Sequence, residues 1–200
     1  MRRRYTPDEA LERLRAGNAR FLRGEGRFPT ARKKVLAALA HQQHPYVTLL
    51  GCSDSRVPPE ILFDAGFGEL FVVRLVGNVV SHEVYGSMQY AAVHLETPLF
   101  VVLGHEDCGA VQAALDAKFR GNRERSRIAA LLANVLPGLE GIDPDLPPEE
   151  QLRSGVEANV RWAMQQIRDT PEAQVREAEG VLKLVGAVVE LSTGVVRFLD

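Results

Sequence analysis

The amino-acid sequence predicts an α/β fold: a central, mostly parallel β-sheet flanked by helices, with an antiparallel edge strand near the C terminus and a helical extension at the N terminus. From residue 46 onward, short apolar runs alternate with longer stretches of helical periodicity, which is the pattern of a parallel sheet whose strands are joined by helices. A turn at residues 192–194 leads into residues 195–198, which predict the antiparallel edge strand. The other predicted strands are residues 46–50, 70–73, 99–103 and 181–189.

The first 45 residues predict a helical arm outside the alternating pattern. Thr6 is a capping residue, Pro7 suits the first helical position, and Glu9 completes a capping box three residues after the cap. A second helix is expected over residues 31–41. The apolar stripe of the first helix is narrow, and it fits packing on its own domain or on a second subunit. The sequence leaves both possibilities open.

Further helices are predicted between and after the strands. The proline pair at residues 58–59 opens a short helix, and Ser81 begins a longer helix with apolar residues at helical spacing. Residues 138–148 are rich in proline, glycine and aspartate, and we expect them to form a loop. The remaining predicted helices are residues 108–118, 126–136 and 148–168. We expect residues 1–200 to form a single α/β domain, with 1–45 as the arm and 46–200 as the sheet and its covering helices.

Composition limits the classes of function. The 200 residues are 46% hydrophobic and 25% charged, as in ordinary globular proteins. A formal net charge of −2 gives no reason to expect a nucleic-acid partner. No apolar run approaches the roughly 18 residues that a membrane-spanning helix needs, so we expect no membrane partner and a cytoplasmic location.

The chemistry of the chain is concentrated around its two cysteines, Cys52 and Cys108. Each lies in a short polar motif at the end of an apolar run, and His105 stands three residues before Cys108. Two thiolates and an imidazole are ligands that zinc binds well. Three such ligands are one short of a closed structural site, which leaves a fourth position open for chemistry. The alternatives are a disulfide or two inert thiols; a reducing cytoplasm and the neighbouring polar residues favour the metal.

The predicted strands bring these residues together. Cys52 follows the first strand and His105 follows the third. In open parallel sheets, ligands gather outside the carboxyl ends of the strands where the winding direction reverses. If these two strands are neighbours, their ends place the three ligands at one point. Gly51 and Gly104 directly precede the two ligands, which suits close backbone packing at the strand ends.

Asp54 and Arg56 complete the motif around the first cysteine. Two thiolates cancel the charge of a zinc ion, so a bound water is polarised less than at a three-histidine site, and Asp54 is the carboxylate available to assist its deprotonation. A free carboxylate so close to zinc would tend to bind it directly. A bidentate pair with Arg56 can hold Asp54 away from the metal and keep it ionised.

These motifs identify a resemblance to the β-class carbonic anhydrases, over nearly the whole chain. Residues 52–57 read Cys-Ser-Asp-Ser-Arg-Val, and residues 104–110 read Gly-His-Glu-Asp-Cys-Gly-Ala. The resemblance implies one Zn²⁺ per subunit on the cysteines and histidine, with an Asp–Arg dyad beside it. It implies reversible hydration of carbon dioxide to bicarbonate and a proton through zinc-bound hydroxide. It also implies a homodimer or homotetramer, with Asp54 as a possible fourth ligand in an inactive closed form.

The same resemblance assigns four further positions to the substrate pocket. Gln43 aligns with a glutamine that donates a hydrogen bond to substrate, while Phe71, Val76 and Tyr90 align with residues that line a small apolar pocket, partly across the dimer interface. An apolar pocket lining that excludes water, with one amide donor, suits carbon dioxide, which is small and apolar. Phe71 and Tyr90 would equally suit plain core positions.

Two other functions compete with carbon dioxide hydration. One is a related zinc hydrolase acting on carbon disulfide or carbonyl sulfide, which the motifs do not distinguish from a carbonic anhydrase. The other is a non-enzymatic zinc module. The pairing of Asp54 with Arg56 argues against the latter, because a purely structural site needs neither side chain.

Overall fold

The computed structural model describes residues 5–27 and 33–199. Within these ranges, the strands are β1 (Val47–Gly51), β2 (Leu70–Arg74), β3 (Leu99–His105), β4 (Lys183–Val189) and β5 (Val196–Leu199). The helices are α1 (Pro7–Leu22), α2 (Lys33–Ala38), α3 (Pro59–Leu62), α4 (His82–Val93), α5 (Gly109–Phe119), α6 (Ser126–Leu132), α7 (Pro148–Arg168) and α8 (Pro171–Ala178). Two short 3₁₀ turns cover Val76–Asn78 and Leu136–Leu139.

The five strands form one sheet in the order β2-β1-β3-β4-β5. The first four are parallel, and β5 pairs with β4 in the antiparallel direction. The predicted fold class is therefore confirmed, including the antiparallel edge strand. The chain moves from β1 to one side to form β2 and then returns to the other side of β1 to form β3. The carboxyl ends of β1 and β3 thus lie where the winding direction reverses, the place at which such sheets bind ligands.

Apolar side chains cover both faces of this sheet. Every residue of β1 and β3 is buried, as expected for central strands that helices cover on both sides. On one face the core includes Val84 of α4, Val111 of α5 and Val160 of α7. On the other face it includes Leu14 of α1 and Phe63, which follows α3.

Helix α1 packs on its own chain, which is one of the two possibilities that the sequence left open. Leu14 is fully buried in the core beneath the sheet. Asn18 is also buried and donates hydrogen bonds of 3.0 Å to the carbonyls of Leu62 and Gly194. The predicted capping box is present, because Thr6 accepts a bond from the Glu9 N–H and the Glu9 carboxylate accepts one from the Thr6 N–H.

Some predicted boundaries are wrong. The helix expected over residues 31–41 covers only Lys33–Ala38, and residues 31–32 lie outside the described part of the chain. The helix expected over 126–136 ends at Leu132, and a 3₁₀ turn occupies the start of the expected loop. Helix α8 was not predicted, although the Thr170 side chain caps it and Pro171 begins it. Among the described residues, no helix has the length and apolarity to cross a membrane.

Candidate metal centre

Two neighbouring strands bring the cysteines and the histidine together. Gly51 at the end of β1 lies beside Leu103 in the parallel register with β3, so the two strands end side by side. Cys52 follows β1 directly. His105 is the last residue of β3, two residues beyond the predicted end of that strand, and Cys108 precedes α5. The ligand atoms of these three residues lie within 4.8 Å of one another, and all three side chains are buried. The cysteines are free thiols rather than a disulfide.

The His105 ring is oriented for a metal ion. Its Nδ1 lies 2.7 Å from the Glu106 carbonyl oxygen, which can only accept, so Nδ1 carries the proton and Nε2 keeps its lone pair. Nε2 is buried and has no hydrogen-bond partner in the structure. A buried nitrogen without a partner, close to two sulfurs, is the arrangement that a cation satisfies.

Gly104 allows β3 to approach α7 closely enough to place His105. A Cβ atom at residue 104 would lie 2.6 Å from Cγ2 of Val160 and 3.4 Å from Cγ1 of Val156. The first distance is shorter than a van der Waals contact, so any larger residue would push the end of β3 away from the helix. The expectation that this glycine serves backbone packing is confirmed.

The two thiols have different affinities for protons. A hydrogen bond from Cys108 lowers the pKa of Cys52 against the opposing effect of burial, and the Gly77 N–H lowers it further. The hydrogen bond to Cys52 raises the pKa of Cys108, and burial raises it further. A divalent metal would bind both sulfurs as thiolates, so its binding would release protons from the pair.

Asp54 and Arg56 form the bidentate pair that the spacing predicts. Arg56 donates from Nε to Oδ1 of Asp54 at 2.9 Å and from Nη2 to Oδ2 at 2.7 Å, and its backbone N–H also donates to Oδ1 at 2.9 Å. These hydrogen bonds hold the pKa of Asp54 well below its usual range. Oδ2 of Asp54 lies 3.8 Å from Nε2 of His105. The carboxylate is therefore ionised, close to the ligand group and held by arginine at both oxygens.

Further residues, whose roles the sequence did not reveal, fix the loop that carries Cys52. Arg74 at the end of β2 donates from Nε to the Cys52 carbonyl at 2.8 Å and from Nη2 to the Asp54 carbonyl at 2.6 Å. The Gly77 N–H donates to Sγ of Cys52 at 3.3 Å, and the Gly77 carbonyl accepts from the buried Asn159 at 2.8 Å. One signal in the sequence could have pointed to Asn159, because it is a polar residue on the apolar stripe of α7.

Two of the four residues assigned to a substrate pocket lie beside each other. Phe71 on β2 and Tyr90 on α4 stack with ring centroids 6.3 Å apart. Val76 precedes Gly77, so it lies one residue from the donor to Cys52. Val76 and Tyr90 are each 48% exposed, and Gln43 is exposed in the segment before β1.

The donor set fits zinc. A tetrahedral zinc ion with Zn–S of ~2.3 Å and Zn–N of ~2.0 Å holds its ligand atoms roughly 3.5–3.8 Å apart, within the observed limit of 4.8 Å. Three protein ligands with a fourth corner open are typical of catalytic zinc, whereas structural zinc has four. The fold and the site thus define a class: α/β metalloproteins with a catalytic type of zinc centre at the switch point of a parallel sheet.

Comparison with known proteins identifies the family. Residues 47–196 match the family model described as carbonic anhydrase. A carbonic anhydrase of Mycolicibacterium smegmatis is 38% identical over 189 residues, which cover 94% of this chain and 91% of that protein. The structure of a Coccomyxa β-carbonic anhydrase in complex with acetazolamide aligns with a TM-score of 0.71 and 29% identity, over 82% of this chain and 75% of that chain.

A tetrameric β-carbonic anhydrase of Sordaria macrospora has a TM-score of 0.76 at 24% identity, over 95% of this chain and 96% of that chain, a likeness that concerns the fold alone. The family match covers most of the chain, and the relative from Mycolicibacterium covers nearly all of it. The protein belongs to the β-class carbonic anhydrase family, and zinc is its metal.

Proposed function

We propose that this protein is a zinc-dependent carbonate dehydratase that catalyses the reversible hydration of carbon dioxide to bicarbonate and a proton. The observation that carries the proposal is the juxtaposition at the carboxyl ends of β1 and β3: three buried soft ligands within 4.8 Å of one another, with the Asp54–Arg56 pair beside them. Membership of the β-class family supports the same reaction.

In this proposal, Cys52, His105 and Cys108 hold one zinc ion per subunit. Zinc held by these residues would supply Lewis acidity to a water molecule. Asp54 would accept a hydrogen bond from the reacting water molecule and so direct the water's remaining lone pair toward the substrate. Arg56 engages both Asp54 oxygens, so the carboxylate is kept off the metal while it stays ionised. If that pair opens, Asp54 can become a fourth ligand and close the site.

The proposed substrate pocket depends on a second copy of the chain. Val76, Tyr90 and Val93 are exposed apolar side chains on and beside α4, next to the edge strand β2. A second subunit on this face would cover them and enclose Phe71. Carbon dioxide would then meet an apolar wall. We assign the role of amide donor to Gln43. The proposed assembly is a homodimer or a homotetramer.

A cytoplasmic location is part of the proposal, because both cysteines must remain reduced to serve as ligands. We also propose that the whole chain acts as a single domain. The arm residues of α1 support this, since their apolar side chains are buried against the sheet.

The test is a stopped-flow measurement on purified, zinc-loaded protein at about pH 8–9, with carbon dioxide, carbon disulfide and carbonyl sulfide in parallel. The proposal predicts carbon dioxide hydration far above the buffer rate, and its loss in Asp54→Asn with zinc retained. A zinc-loaded protein that hydrates carbon dioxide no faster than buffer would refute the proposal. Turnover of a sulfur compound alone would assign the alternative hydrolase function.

A further inference from the structure

A buried side chain on α7 is linked to a zinc ligand through one backbone residue. Asn159 is only 2% exposed, and its Nδ2 donates to the Gly77 carbonyl at 2.8 Å. The N–H of the same glycine donates to Sγ of Cys52 at 3.3 Å. We propose that Asn159 is a positioning residue for the metal centre: it fixes the orientation of Gly77 so that the Gly77 N–H stabilises the Cys52 thiolate.

The backbone around Gly77 leaves little freedom once Asn159 is in place. Gly77 has φ 72°, in the left-handed region that favours glycine, and a Cβ there would lie 2.8 Å from Cβ of Ala110. The following peptide is held at both ends: the Asn78 N–H donates to the Leu75 carbonyl at 3.0 Å, while the Gly77 carbonyl accepts from Asn159. An orientation fixed on one side of Gly77 constrains the N–H on its other side.

The same turn is joined to the backbone on both sides of Cys52. The Leu75 N–H donates to the Gly51 carbonyl at 3.1 Å, and the Ser53 N–H donates to the Leu75 carbonyl at 3.2 Å. Cys52 and the turn that donates to it therefore form one hydrogen-bonded unit, and Asn159 is the residue that ties this unit to α7. Helix α7 also packs against Gly104, directly before the histidine ligand, so a single helix positions both strand ends.

The burial of Asn159 calls for a specific partner. Its neighbours along the stripe of α7 include Val156, Val160 and Ala163, all buried and apolar. Burying an amide among such residues is unfavourable unless it is hydrogen-bonded. An apolar residue would fill the stripe without that penalty, so the amide is explained by what it does to Gly77.

Hydrogen bonds to a thiolate withdraw charge from the sulfur. The Gly77 N–H therefore makes the Cys52 sulfur a weaker electron donor to a bound metal. Loss of Asn159 should weaken zinc binding, because the Gly77 peptide is then free to turn and the Cys52 sulfur loses the donor that holds it in place. The cost of removing such outer partners is about tenfold to a hundredfold in metal affinity. Only an effect of Asn159 on turnover would rest on the proposed function. The affinity for zinc is measured independently of activity.

The experiment compares Asn159→Leu with the matched control Asn18→Leu. Asn18 is likewise buried and donates to two backbone carbonyls, but it lies on α1, on the opposite face of the sheet. Zinc affinity is measured by competition with a chelator, and the thiolate-to-metal charge-transfer band is recorded after cobalt(II) substitution. We expect Asn159→Leu to bind zinc about tenfold or more weakly and to shift the band to longer wavelength, whereas Asn18→Leu changes neither. Equal zinc affinity and an unshifted band in Asn159→Leu would overturn the proposal.

A second measurement uses the unaltered protein, so the outcome does not depend on whether a variant folds. In the cadmium-113 form, the amide proton of Gly77 should show scalar coupling to the metal across the N–H···S bond. The Nδ2 of Asn159 should couple to the carbonyl carbon of Gly77. Both couplings together support the proposed chain of hydrogen bonds. Absence of either in well-resolved spectra would overturn it, whatever the variants do and whether or not carbon dioxide is hydrated.

Discussion

Substitution of Gly104 by alanine should disturb the metal site through packing alone. The added Cβ would lie 2.6 Å from Cγ2 of Val160, whereas carbon atoms in contact prefer roughly 3.5–4.0 Å. About 1 Å of overlap must therefore be relieved by moving the end of β3 away from α7. His105 is the next residue, so it moves with the strand.

The expected loss of stability follows from this steric overlap. Extra methyl groups in a packed core destabilise by about 1–3 kcal/mol. At roughly 2–4 °C per kcal/mol for a chain of this size, the Tm should fall by roughly 2–12 °C. Zinc affinity should also fall about tenfold or more, because metal sites tolerate ligand displacements of only ~0.2 Å. Removing the obstacle should reverse both effects, so Gly104→Ala combined with Val160→Ala should be more stable than the two single changes predict, by about 1–3 kcal/mol.

The assay is thermal unfolding of the zinc-loaded protein at equal concentrations, with zinc affinity measured by chelator competition. Gly141→Ala is the matched control, since a Cβ at that position meets no atom within 4 Å. A Gly104→Ala protein with the stability and zinc affinity of wild type would refute the packing argument. So would strict additivity with Val160→Ala.

Three further predictions concern charged groups. Asp54→Asn keeps the ligand set but loses an anionic acceptor, so zinc should be retained while hydration falls about a hundredfold or more; unchanged turnover would contradict this role. Arg56→Ala should let Asp54 bind zinc as a fourth ligand in a crystal structure, and a normal Asp54 position with normal activity would count against the pair. At Asp64, burial would raise the pKa, but hydrogen bonds from Arg20 and Arg27 outweigh it and hold the pKa below its ordinary value. The stability it contributes is present above the unfolded pKa of ~3.9 and is lost as pH falls through the lower folded value, so acid should destabilise wild type more than Asp64→Asn; equal slopes would exclude this contribution.

The sequence predicted the sheet and the ligand group because both depend on patterns that are local in the chain. Apolar runs of strand length defined the central strands, and polar residues directly after two of them marked the carboxyl edge. The spacing of Asp54 and Arg56 in one loop predicted their pairing, since two residues so close can meet whatever the rest of the fold does.

The contacts that support the site could not be predicted in the same way. Asn159 reaches Gly77 across 82 residues, and Arg74 reaches Cys52 from another strand. These bonds depend on how α7 and β2 pack, which no local pattern specifies. Helix α8 and the 3₁₀ turn at Leu136–Leu139 also escaped prediction, because both are too short to show periodicity.

The measurement that tests the central claim most directly is X-ray absorption at the zinc edge of the purified protein, together with its metal content. The predicted result is about one zinc per chain, with two sulfurs at ~2.3 Å, one nitrogen at ~2.0 Å and one further light atom from solvent. A protein without zinc, a zinc shell lacking the two sulfurs, or a disulfide between Cys52 and Cys108 would contradict the account.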